Sequence, residues 1–151
     1  MANIGKWNAP SGIASQLTTE LNSLATSTMC SASAIYDNST AGTLNIYCDL
    51  EVNLAALSPT AGAYVAVYLW GAPDGTNFPA QSDADLRLTS TQLFCTIPIG
   101  TTASTAQRVV VRNLVLPPEQ VKWKIDNQTG TALATSGNTM KIITYNINGN
   151  G

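Results

Sequence analysis

The stretch TLNIYCDLEVNLA, residues 43 to 55, decides the fold. Leu44, Ile46, Cys48, Leu50, Val52 and Leu54 occupy alternate positions, and Asn45, Tyr47, Asp49, Glu51 and Asn53 fill the places between them. A period of two is that of a strand with one face on a core and the other in water. The next segment, AYVAVYLWGA, sets Val65, Val67 and Leu69 against Tyr64, Tyr68 and Trp70. Both of its faces are largely apolar, so something is expected to cover the face carrying Tyr68 and Trp70. Further strand candidates are residues 28 to 36, 91 to 99, 106 to 116, 120 to 128 and 139 to 147, with a possible short one at 132 to 136. Turn-rich pieces such as DNSTAG, SPTAG, APDGTN, GTTAST, LPPE, NQTG and SGN separate them.

Seven or eight strands with short Gly and Pro turns and no second helical block imply an all-β, antiparallel β-sandwich. About eight strands favour a jelly roll over an immunoglobulin-like sandwich, whose Cys-Trp-Cys spacing is missing. One helix is expected ahead of it. In SGIASQLTTELNSLATS, Ile13, Leu17, Leu21 and Leu24 step by four, four and three along one helical stripe, with Ser11 as N-cap. The organisation expected is an N-terminal arm and helix over 1–27, with Trp7 in the arm, followed by a jelly-roll sandwich over 28–151.

Composition limits the chemistry. The 151 residues suit one domain with a full core. Only 11% are charged, against about 25% in a typical domain, so Ser, Thr, Asn, Gln and Gly make most of the polar surface. Such a surface suits packing against neighbours. Seven Lys plus Arg against nine Asp plus Glu leave a net charge of −2, so neither nucleic acid nor an anionic membrane is an expected partner. There is no histidine, which removes the commonest general base and most zinc sites. Cys30, Cys48 and Cys95 lie 18 and 47 residues apart without a CxxC pair, so no metal knuckle or disulfide framework is expected. No apolar run has signal-peptide or membrane-spanning length, and the chain reads as soluble and made in a reducing compartment.

The candidate sites are few. Asp74-Gly75-Thr76-Asn77 reads as a turn, because proline presets φ and glycine permits positive φ. A calcium loop begun at Asp74 would need oxygen ligands where Phe78 stands. Asp83 and Asp85 in a polar loop beside Arg87, and Asp49 and Glu51 on a wet strand face, are paired acids without an implied cleft. Arg108 and Arg112 share one strand face, as do Lys122 and Lys124, and the two pairs would form a basic patch if their strands were neighbours. No catalytic residue, cofactor or metal is indicated, and the chain does not read as an enzyme.

The order TELNSLATST, IYDNST, LNIYCDLEVNLA, YVAVYLWGAPDGTNFP, VVVRNLVLPPEQVKWKIDNQTG and NTMKIITYN, over about residues 15 to 146, resembles the jelly-roll decoration, or cement, proteins of tailed bacteriophage capsids. Its most specific pieces are the strand into the Asp74 to Phe78 turn and the Leu116 to Gly130 step. The resemblance implies a structural virion protein, made in the host cytoplasm, on the outer capsid surface. There it would bind a major capsid protein of the HK97-type fold and cement adjacent capsomers as a homo-oligomer, a trimer before a dimer. It places capsid contact in residues 1–27, with Trp7, Ile13, Leu17 and Leu21 as anchors. Tyr68, Trp70, Arg108, Arg112, Lys122 and Lys124 are then the candidate contacts between protomers. The alternative is a carbohydrate-binding sandwich, lectin-like or at a fibre tip, with Trp70 as platform beside Asp74 and Asn77.

Overall fold

A computed structural model describes residues 6–40, 44–79 and 91–148. Asp83, Asp85 and Arg87 lie outside the described residues. The strands are β1 (Lys6–Trp7), β2 (Ala14–Leu17), β3 (Thr28–Met29), β4 (Tyr36–Asp37), β5 (Tyr47–Leu57), β6 (Tyr64–Ala72), β7 (Thr91–Pro98), β8 (Thr105–Val115), β9 (Gln120–Gln128), β10 (Thr139–Tyr145) and β11 (Ile147–Asn148). Two antiparallel sheets face each other. Sheet 1 has the order β2-β10-β5-β8, and sheet 2 the order β3-β9-β6-β7, with β4 pairing the other end of β9. The two-stranded ribbon β1-β11 is separate from both.

The alternation in β5 does what its pattern implies. Cys48, Leu50, Val52 and Leu54 are buried while Tyr47, Asp49, Glu51 and Asn53 are half-buried on the opposite face. Across the interior they meet Val65, Val67 and Leu69 of β6 and Val121, Trp123 and Ile125 of β9. Each fully buried aliphatic side chain stabilises the sandwich by about 1.5–3 kcal/mol before ordering entropy is charged against it.

The expected N-terminal helix is not formed. Residues Ala14–Leu17 are an edge strand on β10, and Thr19–Leu21 make one 3₁₀ turn. A step of four is also an even step, so the spacing of Ile13 and Leu17 suits a strand as well as a helix. Ser11, Ser15, Thr18, Thr19 and Ser23 are poor helix formers, and β10 offers the backbone a ladder instead. Ser11, expected as an N-cap, pairs with the end of β10: its N–H donates to the Thr144 carbonyl at 2.8 Å, and its Oγ accepts from the Thr144 N–H at 2.9 Å. A boundary at residue 27 therefore marks no break in the fold, because β1 and β2 both pair with the C-terminal strands.

Two other expectations shift. Residues 28 to 36 give only the short β3 and β4, and 132 to 136 are a loop. That loop is tied to the chain near residue 23 by Ser23 N–H to the Ala134 carbonyl (3.0 Å) and Leu133 N–H to the Leu24 carbonyl (2.9 Å). Buried asparagines organise these crossings. Asn127 donates to the Leu24 and Thr131 carbonyls, both at 2.9 Å, and accepts from the N–H and hydroxyl of Thr129. Asn38 similarly bridges the Asn45 and Pro117 carbonyls at 2.9 Å. Such fully satisfied buried amides cost little and fix one path for each loop.

Candidate functional site

One end of sheet 1 leaves large apolar side chains in water. Trp7 is 62% exposed and Val115 63%, and Leu44, Ile46 and Ile147 are also exposed. Pairing and ring contacts join Trp7, Ile147 and Val115 through Tyr47 and Tyr145. Trp7 lies opposite Ile147 in the ribbon, its ring stands 6.0 Å from Tyr47 and 5.3 Å from Tyr145, and Tyr47 lies opposite Val115. Asn146 binds the neighbouring chain into place: its Oδ1 accepts from Ile46 N–H at 2.6 Å, its Nδ2 donates to the Leu44 carbonyl, and its own carbonyl accepts from Asn8 N–H. Beside the Trp7 ring runs an open groove of about 270 Å³ between Pro10, Ile143, Tyr145 and Asp49.

Next to this aromatic end, the outer face of sheet 1 carries paired charges. Arg108 donates to Glu51 through Nε at 2.9 Å and Nη2 at 2.5 Å, and Arg112 approaches Asp49 to 3.5 Å. A hydrogen bond from Asn53, and then Arg108, hold the Glu51 carboxyl below the usual carboxylate range. Tyr145 Oη donates to Asp49 Oδ1 at 2.8 Å and stands 2.8 Å from the Asn113 side-chain oxygen. Burial, reinforced by the bond to Asp49, pushes the Tyr145 phenol up to about 12. These acids are thus partners in structural pairs on an open face.

The residues singled out in the sequence are dispersed. Trp7 and Ile13 are exposed, but Leu17 and Leu21 are completely buried core residues and cannot anchor a partner. The two basic pairs do not meet, because the LPPE connection carries the chain from sheet 1 to sheet 2. Arg108 and Arg112 lie on β8 of sheet 1, whereas Lys122 and Lys124 lie on β9 of sheet 2. Trp70 is 6% exposed and is covered by its own chain: Phe78 packs edge-on at 5.6 Å, with Lys122 Nζ at 5.1 Å and Lys124 Nζ at 5.3 Å from the Trp70 ring. Tyr68 is half-buried on the same face. Lys124 itself is almost wholly buried.

The turn at Asp74 uses its own ligands. Asp74 Oδ1 accepts from the N–H groups of Thr76 (3.0 Å) and Asn77 (2.7 Å), Oδ2 accepts from Asn77 Nδ2 (2.8 Å), and Gly75 takes φ +74°. Those bonds, the Asn77 N–H first, lower the Asp74 carboxyl. With Trp70 covered and Asp74 and Asn77 joined to each other, the expected sugar platform is not assembled there. Burial raises the thiols of Cys30, Cys48 and Cys95 to about 11, 12 and 11, so they stay protonated and unreactive at neutral pH. Among the described residues no three His, Cys, Asp or Glu side chains gather as a metal site, and no helix is long and apolar enough to cross a membrane.

Sequence reasoning missed Tyr47, Tyr145, Ile46, Val115 and Ile147. A tyrosine amid the polar positions of the 43–55 stretch was a signal for the first. The rest depended on knowing which strand ends meet. No protein-family model matches the chain, and no curated protein matches it.

Proposed function

We propose that the chain is a capsid decoration protein that binds the outside of an assembled phage shell of the HK97-type fold and cements adjacent capsomers. The observation that carries the reading is the exposed apolar group in which Trp7 and Ile147 of the β1-β11 ribbon lie beside Tyr47, Tyr145 and Val115 at one end of sheet 1. Single exposed apolar residues are ordinary, but a joined group of them marks an interaction surface. A stable interface between two free proteins buries roughly 800 Å² per partner, more than a few side chains supply. On a lattice such a contact repeats many times, and effective concentration supplies the strength that one copy lacks.

The finer fold is part of the same reading. The sandwich is a jelly roll in which β2 pairs with β10, β3 and β4 with β9, β5 with β8, and β6 with β7. This nesting of first with last is what rolling up one long hairpin produces, and it makes two Greek keys. The motifs that carry the family resemblance supply the hinges of that roll, with Asn38, Pro117 and Asn127 at its crossings.

Purified protein mixed with undecorated mature capsids is expected to co-sediment with them and to raise their disruption temperature. Trp7→Ala is expected to weaken that binding while leaving the sandwich folded. Deleting residues 1–27 is expected to destabilise the sandwich itself, because it removes β2, Leu17 and Leu21. Absence of co-sedimentation at micromolar concentration overturns the proposal. The exposed Trp7 ring and its groove give the carbohydrate alternative its remaining foothold. Glycan-array binding lost in Trp7→Ala would favour that reading instead.

A further inference from the structure

Strand β8 is an edge whose central run lacks the usual guards, with register shifts only on either side of that run and Asn113 at φ +59° beyond it. Among the described residues it pairs only with β5, and it is 11 residues long. Its sequence TAQRVVVRNLV holds no proline, glycine or lysine. Residues 107 to 111 run in unbroken register with 54 to 50, and the register shifts lie outside that run. The other sheet edges differ. Strand β2 has 4 residues and a register shift, β3 and β4 have 2 each, and β7 is interrupted by a shift and ends at Pro98. Natural sheets protect long edges with charge, proline or bulges, because an open row of N–H and C=O groups recruits another strand.

The charges on β8 do not guard it either. Arg108 and Arg112 are each more than two-thirds exposed, yet both turn back across the sheet to Glu51 and Asp49. The strand therefore presents Arg-Val-Val-Val-Arg with its charge already neutralised. Those five residues, 108 to 112, read the same in both directions around Val110. A strand read the same both ways is self-complementary when a copy lies antiparallel to it, which a two-fold interface requires.

We infer that β8 is a two-fold pairing edge, on which a second copy of this chain adds its own β8 antiparallel about Val110. In that arrangement Val110 faces its copy, and Arg108 faces Arg112 of the other chain. Two like charges directly opposite would oppose pairing. Here each guanidinium has a carboxylate on its far side, so the ladder across the dyad runs acid, base, base, acid. Main-chain hydrogen bonds supply affinity, and the valines and the charge ladder set the register. The inference concerns the free protein and does not depend on the capsid reading.

Light scattering and sedimentation equilibrium on the unmodified chain test it directly. The expected result is a monomer–dimer equilibrium at micromolar to roughly 100 µM concentration, as a contact of this small size implies. Val110→Lys, on the exposed outer face, should raise the dissociation constant by about 30-fold or more, the effect of losing an interface hot spot. The double variant Asp49→Asn with Glu51→Gln should also weaken the dimer, since it leaves four arginines facing one another uncompensated. Val110→Cys should cross-link to itself on oxidation, because directly opposed antiparallel residues lie about 4.5–5.5 Å apart, within disulfide reach. Thr105→Cys, far from the dyad, should not. A monomer at about 500 µM, a trimer, a dimer indifferent to Val110→Lys, or a Val110→Cys protein that forms no cross-link overturns the inference.

Discussion

The outer faces of the two sheets are built from the same kind of strand and have opposite fates. On sheet 2, Trp70, Ala66, Ala72, Lys124 and Asp126 are all buried, with the turn residue Phe78 edge-on to the indole and the Lys122 ammonium over both rings. On sheet 1, Arg108 and Arg112 stand in water over Glu51 and Asp49, and Trp7 lies on Tyr47 and Tyr145 with most of its ring uncovered. One face is an additional piece of core, whereas the other is surface whose polar groups are mutually satisfied. The difference follows from the alternation: β6 places apolar residues at both phases, while β5 places acids and amides at one. A two-sided apolar strand demands a cover, and the protein finds one for Trp70 within its own chain.

Paired tryptophan variants put that contrast at greatest risk. Trp70→Ala removes a buried indole and is expected to cost about 3–5 kcal/mol. Trp7→Ala loses two edge-on ring contacts on an exposed face and is expected to cost about 1 kcal/mol. Urea unfolding of both variants measures the difference, and equal losses would mean that the two faces are not distinct. A smaller effect separates the polar part of sheet 1. Tyr145→Phe removes a hydrogen bond to the Asp49 carboxylate and is expected to cost about 1.5–3 kcal/mol. The Tyr145 phenol is raised in the folded state to about 12 from about 10 unfolded. The stability it contributes is therefore complete below pH 10 and disappears as pH climbs through 12. A Tyr145→Phe protein should lack that alkaline decline, and an identical decline in both proteins would remove Tyr145 as its source.

How far the sequence disclosed this architecture depends on the range of the interaction. Residues 47–55 were legible because alternation is a local signal that burial then obeys, whereas Leu44 and Ile46, in the same phase as Cys48, lie ahead of β5 and are exposed rather than in the core. The stretch around Leu17 and Leu21 misled because even spacing satisfies both periods, and the deciding partner, β10, lies over 120 residues away in the chain. The turn at Asp74 was legible because its bonds stay within four residues. The basic residues were not, since the question was which sheet follows the LPPE connection. The cluster of Trp7, Tyr47, Val115 and Ile147 draws on four separate strands, and no window of sequence contains it.

The smallest expected effect bears on the charge pair itself. Arg108 reaches Glu51 on an exposed face, where ion pairs are worth below about 1 kcal/mol, so Glu51→Gln should barely change unfolding at pH 7. The folded Glu51 carboxyl is lowered, first by Asn53 and then by Arg108. Its contribution is therefore present above the unfolded carboxylate value of about 4.3 and is lost as pH falls through the folded value. Wild type and Glu51→Gln should converge in stability on acidification, and a gap that persists at low pH would assign the effect to packing. The same substitution frees Arg108 at the β8 edge, so it should disturb self-association far more than folding. A variant with near-normal unfolding and weakened pairing would show that these charges serve the edge more than the fold, as an open face implies and a covered one would not.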